Sequence, residues 1–135
     1  MKFSPVLILA TLLVACGSKS SDEDEVRALI DTVETAAEAR DASDVLEYVA
    51  DDYRDSSGYD KETLRNFLRG YFLAHPKLEL LVNIESLTFP VDGLAQAVVS
   101  VAAVELGDPG MQRLKVEFRR ADGEWRVVRA DRQPR

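Results

Sequence analysis

The sequence predicts an α+β fold, with helices in the first half and a curved antiparallel sheet wrapped over them. Three observations carry this. Apolar residues recur at helical spacing between Val26 and Phe72, placing one stripe per helix toward a core. After Pro76 the pattern changes to alternation or to unbroken apolar runs, as in strands covered on one face or on both. Turn signals then punctuate the chain at Pro90-Val91-Asp92-Gly93, Gly107-Asp108-Pro109-Gly110 and Asp122-Gly123. Helices followed by a strand meander make α+β, whereas alternating helices and strands would make a parallel sheet. With 135 residues there is room for one core and not for two.

The N-terminus is read as an address. Lys2 precedes the apolar run from Val6 to Ala15, which is too short to span a bilayer and has the length of a secretory signal core. The run ends at Leu13-Val14-Ala15-Cys16, which resembles the cleavage box of bacterial lipoproteins. In that family the signal is cut before the Cys, whose thiol takes the lipid. The resemblance implies a signal peptide over residues 1–15, acylated Cys16 as the mature N-terminus, and the lipid bilayer as a partner. Gly17, where inner-membrane retention uses Asp, implies an outer-membrane lipoprotein facing the periplasm. Residues 16–24 read as a flexible tether, small and polar at first. Its acidic end, Asp22-Glu23-Asp24-Glu25, reads as a solvated helix start facing the positive end of the helix dipole.

The domain proper is expected over residues 25–131. Val26, Leu29, Ile30, Val33, Ala36 and Ala37 define a helix over about residues 22–40. Ser43 is the expected N-cap of a short second helix carrying Val45, Leu46 and Val49. After a polar turn, Asp60 caps a third helix with the stripe Leu64, Phe67, Leu68, Tyr71 and Phe72, stopped at His75-Pro76. Strands follow over residues 78–89, 94–106, 111–121 and 124–130, the last two joined by the Asp122-Gly123 hairpin signal. The third helix is expected to pack Phe67, Leu68, Tyr71 and Phe72 on Val99, Val101, Leu114, Val116, Phe118 and Trp125. Residues 132–135, with no apolar anchor, are expected to fray.

This order of elements resembles the nuclear transport factor 2-like superfamily, which includes polyketide cyclase-like and ketosteroid isomerase-like proteins, and the resemblance implies a cone-shaped α+β domain. The resemblance rests on the long first helix through Val26-Leu29-Ile30-Val33, the short helix leading to Ala50-Asp51-Asp52-Tyr53, the helix from Leu64 to Phe72, and the closing hairpin Asp122-Gly123-Glu124-Trp125-Arg126-Val127. These mark a fold and not a chemistry. A cone of this kind implies a pocket, for which the candidate lining is Tyr53, Phe67, Tyr71, Val99, Val101, Val116, Phe118 and Trp125. Enzymes of the superfamily place an Asp or Glu with a His or Tyr in the cone. Here Asp51, Asp52, Tyr53 and His75 are the candidates for that alternative, with Tyr71 beside them. Glu79, Glu85 and Glu105 are carboxylates on strands.

Composition excludes several classes. A net charge of -7 denies phosphate a basic field, so no nucleic-acid partner is expected. One Cys and one His exclude a disulfide framework and a His/Cys zinc site, and the sequence shows no glycine-rich phosphate loop, so no metal or cofactor is expected. The expected function is a membrane-anchored, non-catalytic domain that binds a small apolar ligand or an envelope protein. The alternative is a small isomerase-, cyclase- or dehydratase-type enzyme. The nearly continuous apolar run over residues 94–106 also points to a homodimer through the sheet, because both its faces need cover.

Overall fold

The computed structural model describes residues 18–104 and 110–134. The lipoprotein box with Cys16, and Glu105, lie outside the described residues. Three helices, α1 (Ser18–Glu38), α2 (Ala42–Glu47) and α3 (Lys61–Ala74), precede four strands, β1 (Glu79–Thr88), β2 (Leu94–Val104), β3 (Met111–Ala121) and β4 (Glu124–Arg132). The strands form one antiparallel meander in the order β1-β2-β3-β4. This is the α+β architecture that the pattern predicts, helices packed against an antiparallel sheet.

The helix boundaries have local causes. Arg40 adopts φ 57°, and Arg40 and Asp41 return their N–H groups to Ala37 and Ala36, closing α1. That turn leaves Asp41, not Ser43, as the N-cap of α2; its side chain accepts from the Asp44 N–H at 3.0 Å. Asp60 caps α3 as expected and forms a reciprocal box with Thr63. At the other end of the chain, β4 runs past the expected boundary to Arg132. Asp131 accepts the Ser56 N–H at 2.8 Å, and the Gln133 N–H reaches the Arg113 carbonyl at 2.8 Å, so backbone pairing holds a stretch that has no apolar anchor.

Two bulges bend the sheet. Glu85 is the extra residue where the β1–β2 register shifts, and Val128 where the β3–β4 register shifts. The free edge of β4 is covered by the segment after α2. Ala50 donates to the Val127 carbonyl, Val127 donates back to Tyr48, and Arg54 donates to Val128. A sheet edge with no partner would otherwise template further pairing.

The core has two parts. In the first, α1 lies on the concave face of the sheet, burying Val26, Leu29 and Ile30 against Ala95, Ala97, Val99, Phe118 and Trp125. The small Ala95 and Ala97 on the central strand let the helix approach closely. The second gathers Ala36, Val45, Leu46, Val49, Tyr53, Phe72 and Leu78, with Leu64, Leu68, Tyr71 and Ala130 around them. The helix on the middle of the sheet is therefore α1, where the sequence stripe suggested α3. Phe67 does not reach the strands: it is 43% exposed and stacks between Tyr59 and Tyr71.

Candidate functional site

The acid/base candidates can now be placed. Asp51 is exposed, and its carboxylate takes the Lys61 ammonium at 2.9 Å. Asp52 grips the Arg119 guanidinium through two bonds of 2.7 and 3.1 Å, and that hydrogen-bonded cation holds its carboxyl below the usual range. Tyr53 is buried, and its hydroxyl donates to Asp55 Oδ2 at 2.8 Å. Burial first, and then the Asp55 carboxylate, push its ionisation far upward. His75 Nδ1 lies 2.7 Å from the Tyr71 carbonyl oxygen, which puts the proton on that nitrogen, and its ring stacks on Tyr71 at 4.0 Å. Each group is engaged by a different neighbour, and these bonds do not draw Asp51, Asp52, Tyr53 and His75 into one constellation.

The strand carboxylates divide likewise. Glu79 is exposed. Glu85 accepts from Ser100 Oγ at 2.8 Å and from Arg113 Nε at 2.7 Å, and these two bonds hold its pKa below the ordinary value. Ser100 and Arg113 are register partners, and Ser100 is offset by an odd number from the inward Ala95, Ala97 and Val99, so this network lies on the convex face.

The candidate pocket residues other than Phe67 fall into the two packed clusters. Val99, Phe118 and Trp125 are buried in the first, with Val101 and Val116 against it. Tyr53 is buried in the second, with Tyr71 at its margin, and Phe67 is on the surface. Two concavities stand out among the described residues, and both are open to solvent. One, of about 360 Å³, is a groove between α1 and α2 bounded by Thr32, Thr35, Asp44, Glu47 and Tyr48. The other, of about 240 Å³, lies where Glu25, Leu29 and Tyr48 meet Trp125 and Arg126. Among the described residues no group of three His, Cys, Asp or Glu side chains could hold a metal ion.

The main polar feature of the concave side joins the start of α1 to the β3–β4 hairpin. Asp22, only 6% exposed, bonds Arg120 Nη1 at 2.5 Å. Trp125 Nε1 donates to Glu25 Oε2 at 3.1 Å, the Arg120 guanidinium lies 5.4 Å from the Trp125 ring centre, and Phe89 meets that ring edge-on. The acidic run is helical, as its reading as a helix start expects, but it is not wholly solvated: Asp22 is buried and Glu25 is bonded to Trp125. The signal was present in the sequence: Asp22 stands four residues before Val26, on the same stripe as Ile30. A carboxylate there needs a cation, and the sequence alone does not say which of the strand arginines supplies it.

No family model matches the chain, and no curated protein matches it. Solved structures do. An NTF2-like protein of unknown function from Pseudomonas putida superposes with a TM-score of 0.69 at 21% identity, over 88% of this chain and 90% of that one. An NTF-2 like protein of unknown function from Shewanella oneidensis gives 0.68 at 14% identity, over 84% and 99%. A cystatin-like domain of unknown function from Nostoc punctiforme gives 0.72 at 14% identity, over 87% and 80%. The chain has the NTF2-like, cystatin-like fold. At these identities the likeness concerns fold alone.

Proposed function

We propose that the protein is a lipid-anchored interaction domain of the bacterial cell envelope, acylated at Cys16, that engages a protein partner and transforms no substrate. The observation that carries the non-catalytic part is the use to which the polar groups are put. Asp51, Asp52, Tyr53 and His75 are each engaged in a bond that holds a loop or helix, and Val26, Leu46, Phe118 and Trp125 are buried in the two packed cores, which supports a closed interior over a substrate pocket. A filled cone supports a partner on the outer surface over a small apolar ligand inside. The box before Cys16 supports the anchor, and Gly17 supports the outer membrane.

The anchor is tested by mass spectrometry of the mature N-terminus and by flotation with vesicles. Cys16→Ser should abolish both the acyl mass and flotation; an unmodified N-terminus elsewhere would refute the reading. The filled cone is tested with 1-anilinonaphthalene-8-sulfonate at neutral pH. Little enhancement of its fluorescence is expected, and saturable enhancement by the folded protein would restore the small-ligand reading.

A homodimer through the sheet has a narrower basis than the sequence suggests. The convex face carries ion pairs between Arg119 and Asp52 and between Arg113 and Glu85. Its exposed apolar side chains are Leu81, Val104 and Met111 at one end, gathered around the buried Ala102, and Leu94 at the other. Leu81→Lys should leave the sedimentation coefficient unchanged in a monomer and lower it in such a dimer.

A further inference from the structure

We infer that the pole of the domain carrying the 90–93 and 122–124 turns is its membrane-facing surface, set over the lipid headgroups by a rigid α1 rather than swinging on a tether. The inference rests on the acylation of Cys16. Only Gly17 separates that residue from Ser18, where α1 begins. A flexible segment of several residues would let the domain tumble, whereas a helix transmits direction.

Within its first three turns α1 is fixed to the sheet. Asp22 is bonded to Arg120, Glu25 to Trp125, and Val26 is wholly buried. These contacts lie beside the turns in question: Asp92 stands 3.9 Å from Arg120, and Glu124 precedes Trp125 in the hairpin. The other end of α1 lies elsewhere. Arg40 donates to the Phe72 carbonyl, so α3 sits at the far end of a 21-residue helix, about 30 Å from the first turn. An acyl chain at the first end therefore places Val91, which is 57% exposed, near the bilayer and Leu73, which is 83% exposed, far from it.

The charge of this pole specifies the surface it fits. Asp24, Asp92, Asp122 and Glu124 are exposed carboxylates around the turns; Asp92 faces Arg120 and Glu124 is paired with Arg126, which leaves the pole an acidic excess. They are repelled by anionic headgroups and suited to the ammonium groups of a zwitterionic phosphatidylethanolamine layer.

The test uses the full acylated chain in phosphatidylethanolamine/phosphatidylcholine vesicles containing a rhodamine-lipid acceptor. Cys16 is the single Cys and is blocked by acylation, so Val91→Cys or Leu73→Cys each supplies a unique labelling site. Energy transfer to the membrane should be several-fold greater from position 91 than from position 73. A flexible Gly-Ser insertion between Gly17 and Ser18 should abolish that difference. Equal transfer from the two sites in floated protein, or greater transfer from position 73, overturns the inference alone. Protein that does not float removes the anchoring reading and this inference with it.

Discussion

Phe118→Ala and Phe67→Ala separate the two ways of packing these helices on the sheet. Phe118 is 1% exposed, with its cross-strand partner Ala95 also closed to water, under α1. Truncating a Phe in such a site removes its transfer free energy and leaves a cavity, about 3–5 kcal/mol together. Phe67 is 43% exposed, so rather more than half of its ring is covered, by Tyr59 and Tyr71. Full burial of a Phe is worth about 1.5–3 kcal/mol, so half of it is worth about 1–1.5, and water fills the vacated site without a cavity. At roughly 4 °C per kcal/mol for a domain of this size, Phe118→Ala should lower Tm by about 12–20 °C and Phe67→Ala by about 4–6 °C. Scanning calorimetry, with urea titration to check that the m-value is unchanged, measures both. Equal losses in the two variants would refute the placement of α1 over the sheet and restore α3 to it.

Three further outcomes follow from single contacts. Arg120→Met should cost about 2–3 kcal/mol, below the range for a fully buried pair because Arg120 is itself about a third exposed; most of that should return in the double variant with Asp22→Asn, as urea titration would show. Asp60→Ala should cost about 1 kcal/mol by removing the side-chain half of the α3 capping box, the bond from the Thr63 N–H to the Asp60 carboxylate, and an unchanged urea midpoint would refute that role. Tyr53 ionises above its ordinary value of 10.0 in the folded state, because of burial and then the Asp55 carboxylate. Its contribution is therefore present below pH 10 and lost as pH rises beyond it; Tyr53→Phe should flatten the alkaline fall in Tm, and an identical fall in the variant would disprove the assignment.

Much of this protein was legible in its sequence because the information is local. The stripe Val26, Leu29, Ile30, Val33 needs only helical periodicity, the Asp60 cap only a side chain three residues from its target, and the Asp122-Gly123 turn only φ values of 54° and 77°. From such signals came the α+β class, all seven elements and the hairpin register. The choice between α1 and α3 as the helix on the sheet was not local. Both carry apolar stripes, and which one covers Ala95 and Ala97 depends on how the second core of Leu46, Phe72 and Leu78 closes between them. The candidate site shows the same division. Its residue types could be listed from the sequence, but a carboxylate's role depends on its partners, and Asp52 with Arg119 and Asp22 with Arg120 are separated by 67 and 98 residues. Only the bent sheet brings those pairs together, because each bond is closed by chain geometry summed over the whole domain. For the same reason only the tertiary structure could show that the acidic run, legible in the sequence as a solvated helix start, is bonded to the β3–β4 hairpin through Asp22 and Glu25.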